Sequence, residues 1–487
     1  MPSLRSAETL CLAGLARCDI TPPVGIYHRM WGAATHDRST GVHRPLTATA
    51  LTLDVSPDAG DSQQNETRDV VFLAVDHCLL WAKEMTTLLE RISAATDVPR
   101  ERLFVMFSHT HGAGLMGLER AELPGGELIG PYLEDLAAKL ADIVRQARAS
   151  LQPAVITYGR GRCSLAANRD QWDEANNRWV CGHNADGFAD DTLVVARIAD
   201  FDGRALGAVV NYACHPTTLA WENTLISPDY VGAMRELVEQ NLDAPCFFIQ
   251  GASGDLGPRV GFVGDTAVAD SNGRQLGYAA LAALEALPPA RTQFEYIGPV
   301  ISGATIGAWK YAPESSEAAQ TASRWRQRKW TVDLEYRPGI PTAADVEAER
   351  TRHLAAEQAA RAAGDEAKAR DCRAQAEIKT RQLVRLASLP PGPIYPFPVH
   401  LWQMGDAIWL ALEAEHYQVL QRNLRDGFPN TTIIVATLVN GSLHSYLPPR
   451  ELYGTGVYQE TVALLAPGSL ERLIDEIGAQ IASWKRS

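Results

Sequence analysis

The chain of 487 residues is poor in several features that would fix its class at once. No apolar run approaches the roughly 20 residues that a membrane-spanning helix needs. Cations are in deficit, with 45 Lys and Arg against 58 Asp and Glu and a formal net charge of -13. That balance argues against nucleic-acid binding and against docking on anionic lipid, both of which need clustered cations. The plainest consequence of the acidity is solubility. The eight cysteines form no Cys-x-x-Cys pair and keep no regular spacing. Cys78, Cys214 and Cys246 lie in apolar runs and read as reduced core thiols. Met1 to Ala16 carries one arginine and a broken apolar segment, Leu10 to Leu15, too short for a secretion signal. The expectation is a cytoplasmic protein with no stable membrane anchor.

What is present is an alternation of strand-like and helix-like segments over residues 1–310. The strand candidates are Val70–Val75, Leu103–Phe107, Val155–Tyr158, Thr192–Ile198, Ala208–Ala213 and Cys246–Gln250, rich in Val, Ile and Phe. Helix candidates between them are Lys83–Ala95, Pro131–Ser150, Tyr230–Leu242 and Arg274–Leu287. The order predicts an α/β fold, a layered mixed sheet flanked by helices. Residues 313–389 differ, being rich in Ala, Glu, Arg and Gln. Glu366 with Arg370, and Glu377 with Arg381, are helical i,i+4 pairs, and Ala363-Gly364-Asp365 interrupts them. This predicts an inserted helical hairpin, ended by Pro390-Pro391. It is a solvated arm, a contact for a homo-oligomer, or a wall over the active site. Strands resume at Val399–Met404 and Ala407–Leu412, with a helix from about Glu415, a β segment at Thr431–Val439 and an amphipathic helix at Ser469–Trp484. The sheet resumes after the insertion, so residues 1–487 read as one domain.

Chemistry is concentrated where apolar runs end. Ser108-His109-Thr110-His111-Gly112 follows Leu103–Phe107, and histidines two apart at a strand end point to one side. Strand ends opening into loops are where α/β proteins place their sites, and imidazole is a common zinc ligand. Asp76-His77, His215-Pro216, Gly251-Ala252-Ser253-Gly254-Asp255 and Glu415-His416 repeat the pattern. Asp76 reads either as a cap or as a carboxylate orienting a ligating histidine, and His416 as a helix-face residue. The Gly-rich loop lacks the Gly-Lys-Ser/Thr ending of a phosphate loop. The His-x-His pair is not followed by the Asp-His of metallo-β-lactamases, and the eight units of an amidohydrolase barrel are not evident.

Taken in order, these segments resemble the neutral/alkaline ceramidases. Cys18-Asp19-Ile20-Thr21-Pro22-Pro23 is similar to their N-terminal signature, and Ser108-His109-Thr110-His111 to their His-Thr-His motif. Asn211-Tyr212-Ala213-Cys214-His215 is similar to their second metal-histidine strand. Gly405-Asp406 with Glu415 fits a Gly-Asp strand followed by Pro-Gly-Glu, with Glu413 and Ala414 in place of Pro and Gly. Tyr446-Leu447-Pro448, Tyr453 and Tyr458 fit a tyrosine ladder.

The resemblance implies Zn2+ held by His109, His215, Glu415 and Tyr446. It implies His111 as a neighbouring catalytic group, and Arg169 and Tyr458 in contact with substrate or a developing oxyanion. The family's Gly-Asp-x-Ser-Pro segment reads Gly254-Asp255-Leu256-Gly257-Pro258-Arg259 here, with glycine at the serine position. That argues against a serine acyl-enzyme and for water activated by zinc. Asp255, Gly257 and Arg259 are the expected substrate-binding residues, with Arg259 available to an anionic group. The expectation is that the additional C-terminal β-domain of secreted ceramidases is absent after the Ser469 helix. The expected function is a zinc-dependent amidase, or esterase, acting on a small soluble molecule rather than ceramide. A zinc-dependent lyase or isomerase, and a non-catalytic relative, are the alternatives.

Overall fold

A computed structural model describes residues 3–55, 69–441 and 445–486. Its centre is two sheets packed face to face. The larger has eight strands, in the order Cys246–Gln250, Ala205–Tyr212, Thr192–Asp200, Gln152–Arg162, Glu8–Asp19, Thr47–Val55, Asp69–Val75 and Leu103–Phe107. The pairs at its two ends are parallel, Ala208 opposite Cys246 and Val71 opposite Leu103, and those between are antiparallel. The smaller sheet runs Trp325–Glu335, Ile394–Met404, Ala407–Leu412 and Thr432–Ala436.

Side-chain alternation assigns each strand residue to a layer. Leu51, Leu53, Val70, Phe72, Phe104 and Val209 face inward and meet Trp402, Met404, Trp409 and Ile434 of the smaller sheet. Phe72 stacks on Trp409 with centroids 5.2 Å apart, and Phe104 meets Trp402 edge-on at 4.7 Å. The opposite face of the large sheet carries the helices Ala82–Thr96 and Ile129–Ala149 at one end. Tyr230–Leu242 and Thr266–Glu285 cover it at the other. The outer face of the small sheet is covered by Val419–Gly427 and Ser469–Arg486. The result is helices, sheet, sheet, helices, the layered mixed α/β fold expected, with a second sheet that the alternation did not separate from the first. All eight cysteines are free thiols, and Cys78, Cys214 and Cys246 are buried. Among the described residues, no helix is long and apolar enough to cross a membrane.

The large sheet curls until its two edge strands, Leu103–Phe107 and Cys246–Gln250, approach one another. The segment after Thr432–Ala436 ties them together. Thr437 N donates to Gln250 O at 3.0 Å, and Asn440 N to Val105 O at 2.8 Å. This curl brings together loops that leave distant parts of the sequence.

Two segments take a definite place in the fold. Leu10 to Leu15, weighed as a broken leader-like segment, is the middle of the strand Glu8–Asp19 inside the large sheet. The insertion expected over 313–389 is narrower. Trp325–Glu335 is the edge strand of the small sheet, with Trp325 buried on the face towards the large sheet and Val332 and Leu334 buried on the helix-covered face. Arg326, Arg328 and Lys329 between them disguised its period in a charged stretch. The hairpin itself is Ala343–Ala362 and Glu366–Ala387, turning at Gly364 with φ of 73° and capped by Asp365. Its second helix is docked on the body of the chain. Arg120 donates to Glu377 at 2.6 Å, Arg373 pairs with Asp37, and Arg381 donates to Met30 O. A Cβ on Gly32 would stand 2.9 Å from that of Ala374, so glycine permits the approach.

Candidate metal centre

His109 lies two residues beyond the strand Leu103–Phe107, and its own φ is 67°. A left-handed conformation in a non-glycine residue is a strained one, and such strain clusters at functional sites. His215 follows the strand Ala205–Tyr212. Glu415 lies just past Ala407–Leu412 and pairs with Tyr446 in a two-residue parallel ladder. Ala414 and Ser445, the residues before these two, also have positive φ, 68° and 66°. The helix expected near Glu415 begins only at Val419, because 415 and 416 are extended in this ladder. His416 is therefore not on a helix. It is buried beside Phe397, with both ring nitrogens unpartnered.

Three ligand atoms converge. His109 Nε2 is 3.0 Å from His215 Nε2 and 3.2 Å from Glu415 Oε2, and His215 Nε2 is 2.9 Å from the same carboxylate oxygen. The other nitrogen of each ring fixes the tautomer. His109 Nδ1 donates to Cys78 O and His215 Nδ1 to Ser253 O, each at 2.8 Å. With those protons on Nδ1, both Nε2 atoms present lone pairs, aimed at one another and at a carboxylate. Such a cluster is repulsive unless a cation lies among the three atoms or His109 Nε2 carries a proton facing Glu415. Ligands 2.0–2.1 Å from a tetrahedral zinc lie about 3.3 Å apart, close to the observed edges. The donor set fits Zn2+.

The surroundings act differently on the three groups. Burial, then the Arg169 charge, pushes His215 down to about 3. Burial opposes ionisation of Glu415, yet His109 and His215 hold its carboxyl well below the usual range. Burial opposes a charge on His109, yet Cys78 and Glu415 hold its pKa well above normal. Metal binding, which needs neutral imidazoles and an ionised carboxylate, therefore displaces a proton there. Cys78, His109 and His111 form a second group of ligand types, but there Cys78 Sγ is 3.5 Å from the His109 Nδ1 already bonded to a carbonyl.

Tyr446 OH lies 3.4 Å from His215 Nε2 and accepts from Arg169 Nη2 at 3.1 Å. Arg169 is itself buried, its Nε and Nη2 donating to Gly254 O at 3.1 and 2.7 Å, so it reaches the centre through Tyr446. His111 stands beside the cluster, 5.0 Å from the His109 ring and 5.1 Å from Trp31. Neither of its nitrogens has a partner, and burial together with His109 and His215 holds its pKa well below normal. Tyr458 begins the short helix Tyr458–Val462, its ring edge-on to Tyr446 at 5.8 Å.

A cavity of about 50 Å³ opens onto the centre, lined by His109, His111, Glu415, Tyr446 and Tyr458, with Cys78, Trp81, Arg381 and Arg385 among its walls. The three residues expected to bind substrate do not line it. Asp255 is buried beneath, accepting from Gln418 N at 2.8 Å and Gln418 Nε2 at 2.6 Å. Gly257 is in the strand Leu256–Pro258, paired with Ala166–Asn168 behind Arg169. Arg259 is exposed, its backbone bonded to Leu165 O. In their place the hairpin supplies Arg381 and Arg385, which no spacing rule singles out. Asp76 orients no histidine. It forms a bidentate pair with Arg235 at 2.7 and 2.8 Å and accepts from Thr47 N.

Comparison with known proteins is consistent with this geometry. A family model for neutral/alkaline non-lysosomal ceramidase, N-terminal, matches residues 11–269. The neutral ceramidase of Pseudomonas aeruginosa is 25% identical over 256 residues, 51% of this chain and 37% of that protein. Neutral ceramidase B of Dictyostelium discoideum is 26% identical over 204 residues, 39% of this chain and 28% of that protein. The aligned stretches thus cover well under half of these relatives. The crystal structure of the P. aeruginosa enzyme matches with a TM-score of 0.61 and 16% identity, over 97% of this chain and 74% of that one. With its family model, its fold and a buried cluster of metal-ligand type in agreement, the chain belongs to the neutral/alkaline non-lysosomal ceramidase family.

Proposed function

We propose that the chain is a zinc-dependent hydrolase that cleaves an amide, or an ester, in a small soluble molecule rather than in ceramide. The observation that carries this reading is the convergence of two Nε2 lone pairs and one carboxylate oxygen within 3.2 Å of one another. His109, His215 and Glu415 would hold the ion, with the Tyr446 oxygen as fourth ligand. A zinc ion there supplies a Lewis acid and a water of lowered pKa. His111, neutral and unpartnered at the cavity wall, takes the proton from the attacking water and returns it to the leaving group. Arg169 holds the Tyr446 oxygen in place, and Tyr458 donates to the oxyanion as the carbonyl is attacked. The narrow cavity, polar on several sides, favours a small substrate over a long acyl chain.

Elemental analysis of purified wild-type and His109→Ala protein tests the reading. About one equivalent of zinc per chain, lost in the variant, is expected. No zinc after reconstitution overturns it and favours a non-catalytic relative. Gly257, where the family places serine, also motivates a second reading, elimination instead of hydrolysis. Incorporation of oxygen from labelled solvent water into product separates the two.

A further inference from the structure

The helix Glu366–Ala387 carries Arg381 and Arg385 one turn apart, and both line the cavity of the metal centre. Their charges are treated differently. Arg381 Nε donates to Glu377 at 2.8 Å, and its Nη2 to Met30 O. Glu377 also takes Arg120, whose other side meets Glu119. Arg381 is thus held and neutralised inside a cluster of two arginines and two glutamates. The Arg385 side chain has no hydrogen-bond or ion-pair partner among the described residues. The groups that face it are Tyr458, Arg381, Glu415 and Tyr446. The single carboxylate among them, Glu415, is engaged by His109 and His215. Burial and repulsion from Arg381 lower the pKa of Arg385, as expected for a cation still lacking its anion. Arg385 also lines a second cavity of about 350 Å³, bounded by Arg337–Pro341 and Thr461–Leu464. Arg385 therefore borders both the metal-centre cavity and the larger space.

We propose that Arg385 binds a carboxylate of the substrate, making the chain selective for amides or esters that carry a free carboxylate on the same small molecule. This rests on the hydrolase reading for the bond that is cleaved, but not for the binding of the carboxylate. A guanidinium fork matches carboxylate geometry. One unpaired cation balances one negative charge, which favours a carboxylate over a phosphate dianion. The hairpin is then the wall that sets specificity.

The test compares succinamate with its neutral analogue succinamide by calorimetric titration of the full chain, zinc-loaded and metal-stripped. Wild-type protein is expected to prefer succinamate by about ten- to a hundredfold, the scale of one charge-assisted hydrogen bond in a confined site. Arg385→Gln should reduce the preference to less than about threefold with zinc content unchanged, and Arg385→Lys should restore part of it. Equal binding of the two probes by wild-type protein overturns the proposal. So does a preference that persists in Arg385→Gln. If the chain takes up no zinc, the hydrolase reading fails alone, and the preference measured in metal-stripped protein still decides the role of Arg385.

Discussion

Glu415 and Tyr446 are direct partners across a two-residue parallel ladder, each preceded by a residue in the left-handed conformation. The ladder fixes the phenol beside the carboxylate, and Arg169 fixes the phenol oxygen at 3.1 Å. Tyr446→Phe keeps ring and ladder and removes only the oxygen. Zinc affinity is expected to fall by about 10–100-fold, while the metal-free variant unfolds within about 1 kcal/mol of wild type. An unchanged zinc dissociation constant would remove Tyr446 from the ligand set.

Metal removal gives a second prediction. Because the converging atoms of His109, His215 and Glu415 come together only in the folded chain, zinc should stabilise it by mass action. At a free zinc level about 1,000 times the dissociation constant, the gain is roughly 4 kcal/mol. Chelation should lower the melting temperature of wild-type protein and leave that of His215→Ala unchanged, and the variant should lose turnover together with metal. Full turnover by metal-free His215→Ala would sink the mechanism.

Much of this centre was legible in the sequence, for a physical reason. His109 and His215 end apolar runs, and a run that stops at a polar residue marks a strand delivering a side chain to a loop. Glu415 was found in the same way, although a helix was expected where a two-residue strand lies. Tyr446 has no such signal: phenolate is a rare zinc ligand, and only the family resemblance pointed to it. Arg385 could not be read at all. Its helix looks like any solvated polar helix, and its place at the cavity depends on docking contacts, such as Gly32 against Ala374, made with residues more than three hundred positions away. Asp76 shows the converse. A carboxylate at a strand end looked fit to orient a histidine, but its partner Arg235 comes from a helix that sequence spacing does not connect to it.

The sequence resemblance aligns Gly257 with the family's serine, and the surroundings have room for a side chain. A Cβ there would lie 3.7 Å from Thr217 Oγ1 and 3.8 Å from Arg169 Cδ, ordinary contacts, and the residue is not in a positive-φ conformation. Thr217 Oγ1 is buried without a partner. Gly257→Ser should therefore fold with stability equal to wild type or up to about 1 kcal/mol greater, because glycine loses more chain entropy on folding. A thermal scan checks this. A fall in melting temperature of more than about 5 °C would mean that the space is closed in the native protein.

Asp255 connects the Gly-rich loop to the segment that carries Glu415, and it does so at a cost that depends on pH. Burial raises its pKa from 3.8 to about 6, against the donors from Gln418 that favour the charged form. The folded chain thus holds this proton more tightly than the unfolded chain. Below about pH 4 both states are protonated and there is no penalty. As pH rises from about 4 to 6 the unfolded state ionises first, so stability falls. Above about 6 the deficit is constant, on the order of 2–3 kcal/mol. Asp255→Asn keeps the shape and the acceptor for Gln418 N but cannot ionise. Urea unfolding at intervals between pH 4 and 8 should show the variant gaining on wild type up to about pH 6 and then running parallel to it. A constant difference across that range would mean that the two Gln418 donors offset the whole cost of burial, and that Asp255 ionises as an ordinary carboxyl.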